Sequence, residues 1–130
     1  MKILLDTHCW LWMQVSPKRL SQPVQARLTN PDTELYLSAA SSWEISIKWA
    51  LGKLPLPVDP TDYIPRCMER QGVLGLPVQH RHALHVSGLP RHHNDPFDRL
   101  LVAQAQLEDL TLLTADRRLG DYEGVEIQWA

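Results

Sequence analysis

Four carboxylates lie far apart in the chain, at Asp6, Glu44, Asp98 and Asp116, and each stands where a strand would end or a helix begin. Asp6 closes the run Lys2-Ile3-Leu4-Leu5, and Asp116 ends Leu112-Leu113-Thr114-Ala115-Asp116. Glu44 falls in the first turns of the helical stretch after Leu35-Tyr36-Leu37-Ser38, and Asp98 just after Asp95-Pro96. In a parallel α/β sheet such positions meet at the carboxyl edge, where open sheets of this kind bind ligands. Acids brought together repel and raise one another's pKa, and a hard cation relieves the repulsion. An all-oxygen set with room for water suits Mg2+ or Mn2+ better than Zn2+. The chemistry served by such a set is phosphodiester hydrolysis, in which one ion activates water and a second, where present, stabilises the leaving oxygen.

Taken alone, each acid has a plainer role. Asp6 can cap the helix that follows it. Glu44 has Lys48 four residues on, the favourable order for a surface ion pair worth about 0.3–0.5 kcal/mol. Asp95 before Pro96 is a strong N-cap signal, and Asp98 falls where a capping box places an acid. Asp116, ahead of Arg117-Arg118, can cap a short turn. No single acid is diagnostic. What argues for a site is that one topology would bring all four to the same edge.

The elements that must do so are legible in outline. Lys2 to Leu5 reads as a buried parallel strand, and Thr7 to Met13 as a helix entered directly from it. Ser16-Pro17 and Ser21-Gln22-Pro23 are helix-start signals, and the helix that follows runs to Thr29, where Asn30-Pro31-Asp32 stops it. Leu35 to Ser38 is the second strand. From Ala39 to Leu51 the spacing predicts a helix, with Trp43, Ile47 and Leu51 recurring every four residues and Gly52 closing it. A proline-bearing loop over 53–60 precedes a helix over 61–71, ended by Gly72. Val73 to Val78 is a weak third strand, Gln79 to Ser87 a short helix, and Arg91 to Asp95 a polar loop. Asp95-Pro96 opens a long helix to Glu108, followed by a strand over 110–114, a turn or short helix over 115–120 and a last strand over 125–129. This alternation predicts an α/β domain with a mainly parallel sheet between helical layers.

With 130 residues, 44% apolar and 22% charged, the chain reads as a single domain over residues 1–130 with one hydrophobic core. A net charge of −2 offers no global basic field for nucleic acid, so any such contact must rest on local patches. Cys9 and Cys67 have no CxxC or metal spacing and read as buried free thiols in a reducing cytosol. The apolar run before Asp6 is too short for a signal-peptide core, and no later run approaches a membrane span. A cytoplasmic location without a membrane partner is expected.

Leu4-Leu5-Asp6-Thr7-His8 with Leu11-Trp12 resembles the opening of PIN-domain proteins, and most of all the VapC-type toxins of bacterial type II toxin–antitoxin pairs. Ser41-Ser42-Trp43-Glu44-Ile45-Ser46-Ile47-Lys48 is similar to that family's second acidic motif. His93-Asn94-Asp95-Pro96-Phe97-Asp98-Arg99, followed by Leu100-Leu101-Val102-Ala103-Gln104-Ala105, resembles the third, and Leu112-Leu113-Thr114-Ala115-Asp116 the fourth. The match runs in order along essentially the whole chain. It implies a PIN-like three-layer α/β/α fold and a Mg2+-dependent endoribonuclease toxin, with Mn2+ able to substitute, that leaves 5′-phosphate and 3′-hydroxyl ends. Carried over by position, Asp6, Glu44, Asp98 and Asp116 are its catalytic, metal-site acids. Asp6 and Asp98 are the direct ligands, while Glu44 and Asp116 act directly or through bound water. Thr7 and Thr114 lie at the rim, fixing waters or carboxylates, and Asp95 supports the site as the cap that positions Asp98. A cognate VapB-like antitoxin that inserts a segment into the active-site groove is also implied, as is a homodimer.

Arg91, His92, His93 and Arg99 flank the third motif, and Arg117-Arg118 follow the fourth. With Lys48 they would make a positive rim for RNA phosphates, or else stand as solvated side chains and carboxylate partners. Lys48, Arg99 and Arg117 are the RNA-binding candidates, with an Arg99–carboxylate contact as the other reading. His80, His82 and His85 do not share one helical face and read as surface residues rather than a metal cluster; His8 packs or caps locally. Of Trp10, Trp12, Trp43 and Trp49, most are expected in the core, and an exposed subset would accept an apolar antitoxin helix. Two other functions compete. A non-cleaving PIN-like module that binds RNA or protein is disfavoured by intact acids at all four positions. A phosphatase of the haloacid dehalogenase type expects Asp-x-Asp after the first strand, whereas Thr7 and His8 follow Asp6.

Overall fold

Alternate side chains of the first strand, β1 (Lys2–Leu5), go to two different cores. Ile3 and Leu5 pack with Leu35, Leu37 and Leu113 on one side, while Leu4 packs with Leu101, Leu112 and Leu119 on the other. A strand covered on both faces needs apolar residues at consecutive positions, which is why Ile3-Leu4-Leu5 and Leu112-Leu113 are unbroken apolar runs. The computed structural model describes all 130 residues. Four more strands complete the sheet: β2 (Glu34–Ser38), β3 (Val73–Leu76), β4 (Thr111–Thr114) and β5 (Glu126–Trp129). Their order is β3-β2-β1-β4-β5, and every neighbouring pair is parallel.

Helices α1 (Thr7–Val15), α2 (Gln22–Thr29), α3 (Ala39–Ala50) and α4 (Pro60–Gln71) contribute Trp10, Val24, Ile45 and Ile64 to the first core. Helix α6 (Pro96–Glu108) supplies Leu101, Val102, Ala103 and Ala105 to the second, with the short α5 (His80–His85) packed on it. The result is the expected three-layer α/β/α arrangement, with a sheet that is wholly rather than mainly parallel. From β1 the chain crosses to β2 on one side, and β4 lies on the other. The switch point, and so the crevice available to a ligand, falls at the carboxyl ends of β1 and β4.

Several local expectations are corrected. β3 stops at Leu76, because Pro77 has no N–H to continue a ladder. Ser16-Pro17 opens a single 3-10 turn over Pro17–Arg19, and α2 starts only after Ser21. Trp43, Ile47 and Leu51, whose spacing reveals the third helix, form its outer face, at 62%, 36% and 64% exposure. The face α3 buries is Ala40, Ser41, Glu44 and Ile45. Of the tryptophans considered, Trp10 is fully buried, Trp12 partly so, and Trp43 and Trp49 are exposed. His82 is not a surface residue: it is fully buried, its Nδ1 accepting the Gln79 N–H and its Nε2 facing Glu108. His80 is exposed, and His85 pairs with Gln106. Cys9 and Cys67 are buried free thiols. No helix is long and apolar enough to cross a membrane.

Candidate metal centre

Asp6 leaves the carboxyl end of β1, its N–H bonded to the Leu113 carbonyl at 3.0 Å, so the register of β1 on β4 fixes where it stands. Its Oδ1 accepts the Cys9 N–H at 2.7 Å and caps α1. Capping uses one carboxylate oxygen and leaves the other for a ligand, so the cap role and the site role are compatible. Next to it, the Thr7 hydroxyl donates to Ser41 Oγ at 2.9 Å in the buried seam between α1 and α3. Ser38, at the end of β2, caps α3 through the Ala40 N–H. Three residues past Ser41, Glu44 is turned to the same buried face and is only 4% exposed, as is Asp6. Lys48 reaches Glu44 Oε2 at 2.8 Å.

Asp98 enters from the other side of the switch point. Pro96 starts α6, and Asp95 Oδ1 accepts the N–H groups of Phe97 at 2.8 Å and Asp98 at 3.4 Å, which sets Asp98 in the first turn. Burial and then the negative charge of Asp95 push the Asp98 carboxyl up to about 7; His93 lowers it, and Asp6 and Glu44 each add a smaller raising effect. The fourth acid follows β4. Thr114 Oγ1 accepts the Asp116 N–H at 3.1 Å, and Asp116 in turn accepts the Arg118 N–H at 3.1 Å. The Arg118 guanidinium grips both Asp116 oxygens, at 3.0 and 2.8 Å, and with the His93 hydrogen bond holds this carboxyl well below the usual range.

Two carboxylates thus bury almost all their surface, and a third is pushed toward its neutral form chiefly by burial and by Asp95. Glu44 is paired with Lys48 and Asp116 with Arg118, whereas Asp6 and Asp98 have no Lys or Arg partner, and a divalent cation would offset the charge these two leave. Carboxylates are donors of the kind Mg2+ takes, so the residues present fit such an ion. The ligand atoms that lie together, within 4.8 Å of one another, are those of Asp98, Asp116 and His93, with Asp6 and Glu44 near enough for their charge to act on Asp98. The cluster is at the opposite end of the sheet from a cavity of about 510 Å³ beside Leu35 and Gly72 at the amino ends of β2 and β3.

A PIN-domain family profile matches residues 3–125. The chain belongs to the PIN-domain family. Among its relatives, ribonuclease VapC16 of Mycobacterium tuberculosis is 48% identical over 58 residues, 43% of this chain and 41% of VapC16. Ribonuclease VapC22 of the same organism is 29% identical over 118 residues, covering 90% of this chain and 88% of VapC22. The fold resembles VapBC2 from Rickettsia felis, solved bound to a fragment of promoter DNA, with a TM-score of 0.74, 13% identity and coverage of 99% and 98% of the two chains. It also resembles VapBC-1 from nontypeable Haemophilus influenzae, with a TM-score of 0.61, 21% identity and coverage of 98% and 97%.

Within this PIN domain, the cationic side chains named from sequence divide sharply. Arg99 does not face a substrate. It is buried, and its guanidinium donates to the carbonyls of Val86, Leu89, Pro90 and His93 and to the Tyr122 hydroxyl, at 2.9–3.5 Å. Its partners are backbone carbonyls, not the carboxylate proposed as the other reading. A guanidinium carries five donors in a rigid fork, and here they tie the loop before α6 to that helix. Lys48 stands beside the acids, engaged with Glu44. Arg117 is exposed and lies over the Trp129 ring, 4.2 Å from its centroid. His93 is the residue the sequence undervalued. Grouped there with a basic flank, it is buried, with Nε2 2.8 Å from Asp116 and 3.3 Å from Asp98. No periodic signal marks it, because it lies in a loop that only the docking of α6 folds inward.

Proposed function

We propose that this PIN domain is a Mg2+-dependent endoribonuclease toxin, cutting RNA phosphodiester bonds to leave 5′-phosphate and 3′-hydroxyl ends and restrained by a VapB-like antitoxin. The observation that carries the reading is the gathering of Asp98 and Asp116 with the buried Asp6 and Glu44 at the switch point of the sheet, in a chain that matches the PIN-domain profile over residues 3–125. Asp6 and Asp98 would hold the ion directly, and Glu44 and Asp116 directly or through water. A bound Mg2+ supplies charge neutralisation and water activation there. The chain's own side chains do the rest. Lys48 and exposed Arg117 hold RNA phosphates beside the acids, and the Thr7–Ser41 and Thr114–Asp116 bonds keep the carboxylates' elements in place. The VapC names of the relatives and the toxin–antitoxin complexes among the structural neighbours support the same reading. The homodimer belongs to it, as does a cytoplasmic location.

RNA incubated with the protein and Mg2+ should be cut, with ends competent for direct ligation. EDTA or the Asp6→Asn substitution should lower the rate at least ~100-fold, since each removes charge stabilisation in the transition state. Cleavage unaffected by EDTA sinks the mechanism. RNA that binds but stays intact in Mg2+ points instead to a non-cleaving module. In cells, expression should arrest growth, and the neighbouring gene's product should relieve it.

A further inference from the structure

His93 Nδ1 accepts the backbone N–H of Asp95 at 2.9 Å. That nitrogen has a single lone pair, so the hydrogen of the neutral ring must sit on Nε2. Nε2 faces Asp116 Oδ2 at 2.8 Å and Asp98 Oδ2 at 3.3 Å. These three side chains lie close enough to suggest a ligand set in their own right, their donor atoms all within 4.8 Å of one another. The tautomer argues against that set: a ring nitrogen that bears hydrogen has no lone pair to give a metal. We infer that His93 is a positioning residue whose Nε2–H hydrogen-bonds Asp116 and holds that carboxylate beside Asp98, setting the spacing of the two for one divalent cation. The inference rests on the metal-dependent reading above.

The hydrogen-bond pattern around Asp116 supports it. The other side chain on that carboxylate is Arg118, which is exposed and draws it toward solvent. His93 is the buried tether pulling it back toward Asp98. His93 is fixed in turn from both ends: the Asp95 N–H orients its ring, and its carbonyl accepts Arg99 Nη1 at 3.5 Å. Asp95 therefore serves twice, its side chain capping α6 and its N–H setting the His93 tautomer. Groups that orient metal ligands in this way typically change metal affinity or activity roughly 10–100-fold when removed.

Two measurements on the full chain without RNA test this. Mn2+ affinity is read by electron paramagnetic resonance for wild type, His93→Ala and His93→Gln, the glutamine amide offering an N–H near the position of Nε2. Affinity should fall roughly 10–100-fold in His93→Ala and be largely restored in His93→Gln, with both variants unfolding in urea as cooperatively as wild type. Separately, long-range proton–nitrogen NMR of the wild type should show His93 as the Nε2–H tautomer before and after Mg2+ saturation, a readout that needs no variant to fold. Wild-type affinity in folded His93→Ala overturns the inference. Transfer of the hydrogen to Nδ1 on Mg2+ binding also overturns it, making His93 a ligand. If the wild type binds neither ion, the metal-dependent reading fails and the inference with it.

Discussion

Burial, with the charges of Asp95, Asp6 and Glu44, holds the Asp98 carboxyl up to about 7 in the folded protein, against about 3.9 for an unfolded aspartate. Between those values the native state keeps a proton that the unfolded chain has lost, so stability falls as pH rises from about 4 to about 7. The full effect is about 4 kcal/mol at most. Asp116 has the opposite sign. Its carboxyl is held low by Arg118 and then His93, so its contribution is present above the unfolded value and is lost only in acid, as pH falls through the lower folded value. The two windows do not overlap. Urea unfolding in EDTA at pH 4.5, 6 and 8 should therefore show a decline that Asp98→Asn flattens, and an unchanged slope in that variant would assign the decline elsewhere. Because a ligating carboxylate must be ionised, Mg2+ binding near pH 6 should release close to one proton and above pH 8 almost none. Calorimetry in buffers of different ionisation heat measures this directly.

Helix α6 and the loop before it are the element on which the site depends most. Asp95 caps the helix, and Arg99, one turn in, gathers four loop carbonyls and the Tyr122 hydroxyl. Asp95→Ala should cost about 1 kcal/mol as a lost cap, with a disproportionate fall in nuclease rate because Asp98 loses the cap that orients it, while the backbone N–H on His93 is retained. Arg99→Met keeps the apolar stem but strands the carbonyls, and should cost roughly 2–4 kcal/mol in urea unfolding. A cost below about 0.5 kcal/mol, in the range of an ordinary surface change, would return Arg99 to the surface role its sequence position suggested. Helix α3 is divided the other way. Glu44 and Ser41 face the site, while Trp43, Ile47 and Leu51 face outward.

At the scale of the whole molecule, that outward stripe is apolar surface the monomer leaves uncovered, and Trp43 pairs edge-on with Phe97 beside it. Exposed apolar stripes on helices commonly meet a partner. Ile47→Ser with Leu51→Ser should leave folding stability within about 0.5 kcal/mol, as for other surface changes. The same pair should weaken binding of the neighbouring gene's product by ~10-fold or more, as loss of buried anchors does. Undiminished binding would place the proposed antitoxin elsewhere on the fold. Sedimentation of the same variant tests whether the proposed homodimer uses this face.

What the sequence determined by itself was order and type. Short apolar runs such as Ile3-Leu4-Leu5 announced strands covered on both faces, and Asp95-Pro96 announced the cap of α6. The positions of Asp6, Glu44, Asp98 and Asp116 at strand and helix ends pointed to the carboxyl edge of the sheet as the place of the proposed site, because those signals are local and periodic. Tertiary structure decided everything that depends on which distant groups meet. It turned the Trp43-Ile47-Leu51 face outward, buried His82 against Glu108, spent Arg99 on loop carbonyls and brought His93 between Asp116 and Asp98. Helical spacing fixes that a face exists but not which neighbour it packs on. A lone histidine in a loop has no period at all, and its partners are chosen only when the sheet brings the ends of β1 and β4 together beneath α6.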